Sequence, residues 1–238
     1  SRRQRQMCIR DRVKRVKREL IKHGAILDMY EDTMELPDGK QETWDFISHR
    51  KGAAAVVPVR GDGKILMVKQ YRNAIDRMTL EIPAGSRDSV TEDTRVCAAR
   101  ELEEETGVKG LPVEQFACYG DYQRDPRARV ITTAYFSLVN EKEVRVKAGD
   151  DAADAAWFTV KLKKGESRDV TTDAAVIKKE DFSLELENED RGLKIGAVIC
   201  KEERQGLVRE RKYKVKEGGM VAVDHAAIIT PVSYTHLR

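Results

Sequence analysis

The feature that most limits how this chain can fold is a helix whose two ends are both written into the sequence, set among segments that alternate with a period of two. Ser89 followed three residues later by Glu92 has the form of a capping box, and Gly107 suits the left-handed position at which a helix stops. The spacing therefore predicts a helix from Val90 to Thr106. Before it, AILDMYEDTMEL (25–36) and QETWDFISH (41–49) read as strands joined by the hairpin turn Pro37-Asp38-Gly39, with residues 13–22 as a charged lead-in. AAAVVPV (53–59) is apolar enough for a strand buried on both faces; ILMVKQY (65–71) returns as its partner, and TLEIPAG (79–85) is a short strand halted at Pro83. Further strands are expected at 113–120, 128–139 and 155–160. Strands of mixed order around one well-marked helix make an α+β pattern rather than regular βαβ alternation.

Beyond Lys161 the character changes. A short helix is expected at Asp173–Lys179, then the period-two segments FSLELEN (182–188), LKIGAVIC (193–200) and LVRERKYKV (207–215), which read as an added antiparallel sheet, and a truncated helix starting at Asp224. The expected organisation is N-terminal strands at 13–50, a core at 51–161 and a C-terminal β extension at 162–230. The ends, SRRQRQMCIRDR (1–12) and PVSYTHLR (231–238), resemble translated sequencing adapter and are set aside from the fold.

With 40% hydrophobic and 36% charged residues over 238 positions, the chain is neither fibrous nor disordered. No apolar run approaches the roughly 18–20 residues of a membrane-spanning helix and no signal-peptide core is present, so a soluble, cytoplasmic protein with no membrane partner is expected. The net charge of +3 hints at nucleic acid, but residues 1–12 hold five arginines against Asp11, and Arg238 closes the other end, which leaves 13–230 at −2. Residues 161–230 balance 15 basic against 14 acidic side chains on short strands, with no basic recognition helix, which argues against a nucleic-acid partner. Cys8, Cys97, Cys118 and Cys200 form no CxxC pair and read as three core thiols and one tail residue, and the four histidines have no partner at motif spacing.

Chemistry concentrates in the predicted helix. Glu101, Glu104 and Glu105 stand at i, i+3 and i+4, on one side of it, where like charges repel by roughly 0.2–0.5 kcal/mol per pair. Such a cluster is either a solvated face with Arg100 as partner or a seat for a hard divalent cation such as Mg2+, which takes oxygen ligands and shares its remaining positions with phosphates. The full pattern is Gly85, Glu92, seven residues, then Arg100-Glu101-Leu102, Glu104-Glu105 and Gly107-Val108. It resembles the signature of the Nudix hydrolases, with one departure: six residues, Ser86 to Thr91, separate Gly85 from Glu92 where the family usually has five.

The resemblance implies a Nudix-type α/β/α sandwich with a mixed β-sheet, to which the C-terminal antiparallel extension is added, and hydrolysis of a nucleoside diphosphate linked to a second group. It further implies Mg2+, with Mn2+ as substitute, held by Glu101, Glu105 and the carbonyl of Ala84. Glu104 is then a ligand or water-orienting acid, and Gly85, Glu92, Arg100 and Gly107 are structural. Residues 20–108 resemble the ADP-ribose pyrophosphatase branch, in which N-terminal strands help to build a homodimer. Trp44 matches an aromatic that stacks on adenine there, and packing at a dimer interface is its other reading. Arg72 and Glu81 match positions of substrate or metal contact, with an ion pair bracing the sheet as the alternative. Downstream, GDYQRDPRARV and AGDDAADAAWF resemble a second Nudix group that holds ADP-ribose hydrolases and non-catalytic regulators. Asp150 and Asp151 are candidates for the general base, and Arg124 and Arg127 either hold substrate phosphate or pair internally. The implied activity is conversion of ADP-ribose to AMP and ribose 5-phosphate. The alternatives are a nucleotide sensor without turnover, or an enzyme for a nucleotide sugar, NADH or coenzyme A.

Overall fold

The computed structural model describes residues 13–24, 27–49, 51–121, 124, 130–140, 146–149, 152–172, 175–204 and 210–236. Two sheets form. The first is a three-stranded antiparallel sheet of β1 (Lys14–His23), β2 (Leu27–Glu35) and β3 (Gln41–His49) in that order. The supposed lead-in is thus a full strand, correcting the sequence reading. Its charge disguises it: Arg18 forms a two-pronged pair with Asp32 at 2.6 Å on β2, and its guanidinium lies over Phe46 at 4.2 Å and Tyr30 at 5.1 Å. Val16, Leu20, Ile21, Trp44, Phe46 and Ile47 stay exposed on this sheet.

The second sheet is mixed. It comprises β4 (Ala53–Arg60), β5 (Lys64–Arg72), β6 (Arg77–Glu81), β7 (Ala84–Ser86), β8 (Glu114–Tyr119), β9 (Thr132–Val139), β10 (Ala152–Thr172), β11 (Ala175–Asn188), β12 (Leu193–Arg204) and β13 (Glu210–Glu217). The order is β13-β12-β11-β10-β5-β4-β9-β8, with β6 on β5 and β7 on β4; β4 and β9 run parallel and the other strand pairs antiparallel. Alternation sends the side chains of β4 to two cores. Ala54 and Val56, with Leu66, meet Cys97, Ala98 and Leu102 of helix α1 (Thr94–Thr106). Ala55, Val57 and Val59 face the other way, toward Ile228, Ile229 and Val232 of helix α2 (His225–His236). One helix on each face of a mixed sheet gives the α/β/α layering the sequence implied.

The C-terminal extension is continuous with the second core, because Leu184, Leu186, Ile195, Ala197 and Ile199 join the cluster under α2. Its opposite face is a ladder of charge pairs, among them Lys161 with Glu187, Lys179 with Glu202 at 2.8 Å and Arg168 with Asp181 at 3.0 Å. The helix expected at Asp173–Lys179 is a correction: Ala175–Lys179 lies in β11, with Ile177 paired to Val170 on one side and Arg204 on the other. Two-sided pairing overrides a weak helical pattern.

Three further readings change. Helix α1 begins at Thr94 rather than Val90, capped by the Asp93 side chain, which accepts from the Arg95 amide at 2.7 Å. The Ser89–Glu92 pair forms a turn one step earlier, in which Ser89 Oγ accepts from the Glu92 amide at 3.0 Å and Glu92 accepts from the Asp88 amide at 2.6 Å. Cys118 is exposed on the edge strand β8, not in the core, whereas Cys97 and Cys200 are buried. Finally, α2 runs on through Pro231, with Val232 and Ser233 buried, so these residues of the set-aside tail take part in the fold. Among the described residues, no helix is long and apolar enough to cross a membrane.

Leu184 is fully buried in the core shared by the extension and α2. Leu184→Ala is expected to lower the free energy of unfolding by about 2–5 kcal/mol, within a single urea transition. A separate early transition for the extension would show that the core is not shared.

Candidate active site

The site grows from the turn between β6 and α1. Pro83 stops β6, and the chain re-enters the sheet as β7, where Ala84 pairs with Ala55 and Gly85 with Ala54. This lays the backbone of Ala84–Gly85 against α1. Glu101 and Glu105, one helical turn apart, are 8% and 3% exposed and face that backbone, while Glu104 points outward. The Ala84 amide donates to Glu105 Oε2 at 3.2 Å. A Cβ at position 85 would stand 2.2 Å from Glu101 Oε2, so any larger residue would have to displace that carboxylate from its present place. The extra loop residue has therefore not moved Gly85 away from the helix.

Arg100 ties the loop to the helix. Its guanidinium donates to Glu101 Oε1 and Glu104 Oε2, each at 2.9 Å, to the Ser86 carbonyl at 3.0 Å and to Glu92 Oε1 at 3.3 Å. Burial pushes the Glu92 carboxyl upward, but Arg100 and the Asp88 amide outweigh it and hold the group below the usual carboxylate range. Gly107 takes φ 72° and its amide donates to the Glu103 carbonyl at 2.8 Å, ending α1. Burial raises the Cys97 thiol to about 12, which leaves it without thiolate character at neutral pH.

A second polar cluster lies upstream along β6. Arg72 grips Glu81 with two hydrogen bonds, Nε at 2.6 Å and Nη2 closer still, and Thr79 Oγ1 donates to Glu81 Oε1 at 2.6 Å. Burial raises the Glu81 carboxyl, yet its partners, Arg72 foremost, prevail and hold it below its ordinary value. His225 lies 4.0 Å from Glu81, and its Nδ1 accepts from the Ile82 amide at 3.2 Å. Burial pushes this imidazole down, so the folded state keeps it neutral.

The remaining predicted residues are placed apart. Trp44 sits on β3, 44% exposed, with Nε1 donating to Glu42 at 3.2 Å. Arg124 is paired with Asp224 through two bonds of 2.7 Å and also donates to Thr132 Oγ1 at 2.8 Å. This pair belongs to the wall of a cavity of about 740 Å³ between β8, β13 and the start of α2. Asp150, Asp151 and Arg127 lie outside the described residues. Gly149, which precedes the two aspartates, is fixed beside α1: its amide donates to the Glu105 carbonyl at 3.2 Å, and a Cβ there would stand 2.4 Å from the Glu104 carbonyl oxygen. Neither Gly149 nor His225 carries a motif that would mark it in a sequence. Among the described residues, no three His, Cys, Asp or Glu side chains converge as a ready metal cluster. The site offers instead two buried carboxylates and a glycine-lined backbone.

The sequence model of the NUDIX domain matches residues 49–177, more than half of the chain. The chain belongs to the Nudix family. Among its Nudix relatives is the ADP-ribose pyrophosphatase of Bacillus subtilis (strain 168), 34% identical over 161 residues, which cover 66% of this chain and 85% of that protein. The methanol dehydrogenase activator of Bacillus methanolicus is 43% identical over 94 residues, 40% of this chain, and this chain spans only half the length of that relative. The crystal structure of a MutT/nudix family protein from Enterococcus faecalis shares the fold, with a TM-score of 0.53 and 22% identity over 79% of this chain and 64% of that one. The Nudix helix and loop are thus α1 and the turn that precedes it.

Two outcomes follow from this geometry. Gly85→Ala drives a methyl group into the Glu101 carboxylate, and a cost of about 1–3 kcal/mol in urea unfolding is expected. For His225 the folded-state pKa is lowered, so the unfolded chain takes up a proton as pH falls below the ordinary 6.5 while the folded chain does not. Stability present above pH 6.5 is therefore lost on acidification, and His225→Asn flattens that part of the profile when unfolding is measured between pH 8 and 5.

Proposed function

We propose that the protein is a Mg2+-dependent Nudix pyrophosphohydrolase that splits ADP-ribose into AMP and ribose 5-phosphate as a cytoplasmic homodimer. The observation that carries this reading is the pair of buried carboxylates, Glu101 and Glu105, laid over the Ala84–Gly85 backbone. Buried carboxylates demand a cationic or hydrogen-bonding partner, and a donor set made only of hard oxygens suits Mg2+. Glycine at position 85 lets the Glu101 carboxylate lie against the loop backbone, so a donor set of carboxylate and carbonyl oxygens fits the ion.

In this reading Glu101, Glu105 and the Ala84 carbonyl hold the ion, with Mn2+ as substitute, and the exposed Glu104 completes the set or orients water. A bound divalent ion neutralises pyrophosphate charge and lowers the pKa of its water. Asp150 or Asp151 would serve as the general base toward the attacking water; the anchoring of Gly149 against α1 supports a base from this loop. No covalent intermediate is required, in keeping with the high pKa of Cys97. Arg72 and Glu81 brace the loop from β5 and β6, with the buried Glu81 held by the ion pair and the partly exposed Arg72 left to contact the substrate. Arg124 follows the internal-pair alternative, being tied to Asp224 away from the Glu101 and Glu105 carboxylates, which leaves Arg127 as the candidate for substrate phosphate.

The choice of ADP-ribose draws on the Bacillus subtilis relative, which is named for that activity, and on Trp44. An exposed indole offers a stacking face worth roughly 1–3 kcal/mol to a base. The half-exposed Val16, Leu20, Ile21 and Ile47 of the same sheet give a second copy an apolar surface, which supports the dimer.

A panel of ADP-ribose, nucleotide sugars, NADH and coenzyme A, assayed with and without Mg2+, tests the reading. AMP release from ADP-ribose is expected only with the metal, and Glu105→Gln is expected to lower kcat/KM by about 10²–10⁴-fold. Tight ADP-ribose binding without turnover would instead make the chain a sensor, and turnover of another panel member would keep the mechanism and change the substrate.

A further inference from the structure

The C-terminal chain returns to the metal loop by a route that no sequence pattern announces. After β13, Met220–Ala222 lies along the free edge of β6: the Leu80 amide donates to the Met220 carbonyl at 2.8 Å, and the Ala222 amide donates to the Leu80 carbonyl at 3.1 Å. Val221 and Leu80 form a parallel bridge. The next rung of that ladder would join the Ile82 amide to the Ala222 carbonyl. That carbonyl is taken instead by the His225 amide at 2.9 Å, as the chain turns into α2. The His225 side chain fills the gap, and its Nδ1 accepts from the buried Ile82 amide at 3.2 Å. A side chain thus completes a backbone ladder.

The turn that makes this substitution is strained. Val223 takes φ 38°, a left-handed conformation that is costly for a β-branched residue and persists only where the surroundings impose it. The strain delivers His225 to Ile82. Two residues later comes Ala84. Three successive residues are consequently held by three different elements: the Ile82 amide by His225 of α2, the Pro83 carbonyl by the Val56 amide of β4 at 2.9 Å, and the Ala84 amide by Glu105 of α1 at 3.2 Å. Pro83 has no amide to donate, so the Ile82 bond is the last one on the β6 side before the turn.

We propose that His225 is a positioning residue of the Nudix site: by accepting from Ile82 it fixes the Ile82–Ala84 segment and hence the aim of the Ala84 carbonyl and its spacing from Glu105. The inference rests on the metal reading given above. It assigns the C-terminal extension a task, which is to carry α2 back to the metal loop from the face opposite α1.

The test uses the full chain and Mn2+ alone, with free Mn2+ followed by its paramagnetic resonance signal, so that no turnover is needed. His225→Leu keeps bulk and removes the acceptor. His225→Asn places an amide oxygen where Nδ1 stood. The Leu variant is expected to bind Mn2+ about 10–100-fold more weakly than the native chain, the range seen for outer partners of metal ligands, and the Asn variant to recover to within about threefold. Leu and Asn variants that both match the native chain, or that are both equally weakened, would overturn the proposal. A native chain that binds no Mn2+ would defeat the metal reading itself, an outcome visible before any variant is compared. Each variant is checked for a native unfolding transition, with His225→Ala replacing Leu where the latter does not fold. Hydrogen exchange of the native chain supplies a measure free of substitution: the Ile82 amide should be as protected as that of Leu80, and exchange at the rate of an open loop would refute the bond.

Discussion

One guanidinium holds the site together. Taking a carboxylate out of water costs several kcal/mol unless charge or hydrogen bonds compensate, and α1 presents Glu101 and Glu105 to the sheet side. Arg100 meets that demand for Glu101 from the same helix, while the Ala84 amide donates to Glu105; Arg100 also reaches Glu92 and the Ser86 carbonyl, so it couples the helix to the fold of the loop. Lysine in its place would supply one point charge, whereas the planar fork of arginine reaches several acceptors in different directions. The loop has no regular structure beyond β7, and its shape is set by this fork, by the Ser89–Glu92 turn and by the pairing of Ala84 and Gly85 with β4.

This arrangement also explains why glycine stands at the contact between loop and helix. A backbone that must lie against a buried carboxylate has no room for a Cβ on that side, and Gly85 has none. Gly149 repeats the principle one turn further on, where its missing side chain lets the chain pass within reach of the last carbonyls of the helix. Two close approaches bring loop residues from distant parts of the sequence to the C-terminal half of the same helix. The acids then share one small region with the segment that leads into Asp150.

Much of this was legible in the sequence because it is encoded locally. The apolar run of β4, the Gly107 stop and the i, i+3, i+4 glutamates are short-range patterns whose physical meaning survives without knowledge of partners. What escaped depends on long-range pairing. Residues 14–23 are too charged to announce a strand, and only the Arg18–Asp32 bond across to β2 shows why they form one. Ala175–Lys179 resembles a helix until β10 and β12 claim it from both sides. The Ser89–Glu92 spacing has the form of a capping box, yet it closes a turn ahead of the helix and Asp93, next in sequence, takes the cap. His225 is the sharpest instance: 143 residues separate it from Ile82, and nothing in its own neighbourhood marks it.

The added strands acquire a physical rationale from the same contact. An antiparallel extension on β10 would by itself leave a sheet with one apolar face open to water. Helix α2 covers that face with Ile228, Ile229 and Val232, and to reach it the chain must cross back beneath the sheet. The crossing runs along the one edge of β6 that β5 leaves unpaired, so closing the core and completing the β6 ladder are a single event. The outer face needs no such cover, because its cross-strand lysine–glutamate pairs keep it solvated, and the charges on β13 discourage further strand addition at that end. The extension therefore differs from a surface ornament in one respect: the segment that leaves it, Met220–His225, hydrogen-bonds to Leu80 and Ile82 just before the loop that leads to α1.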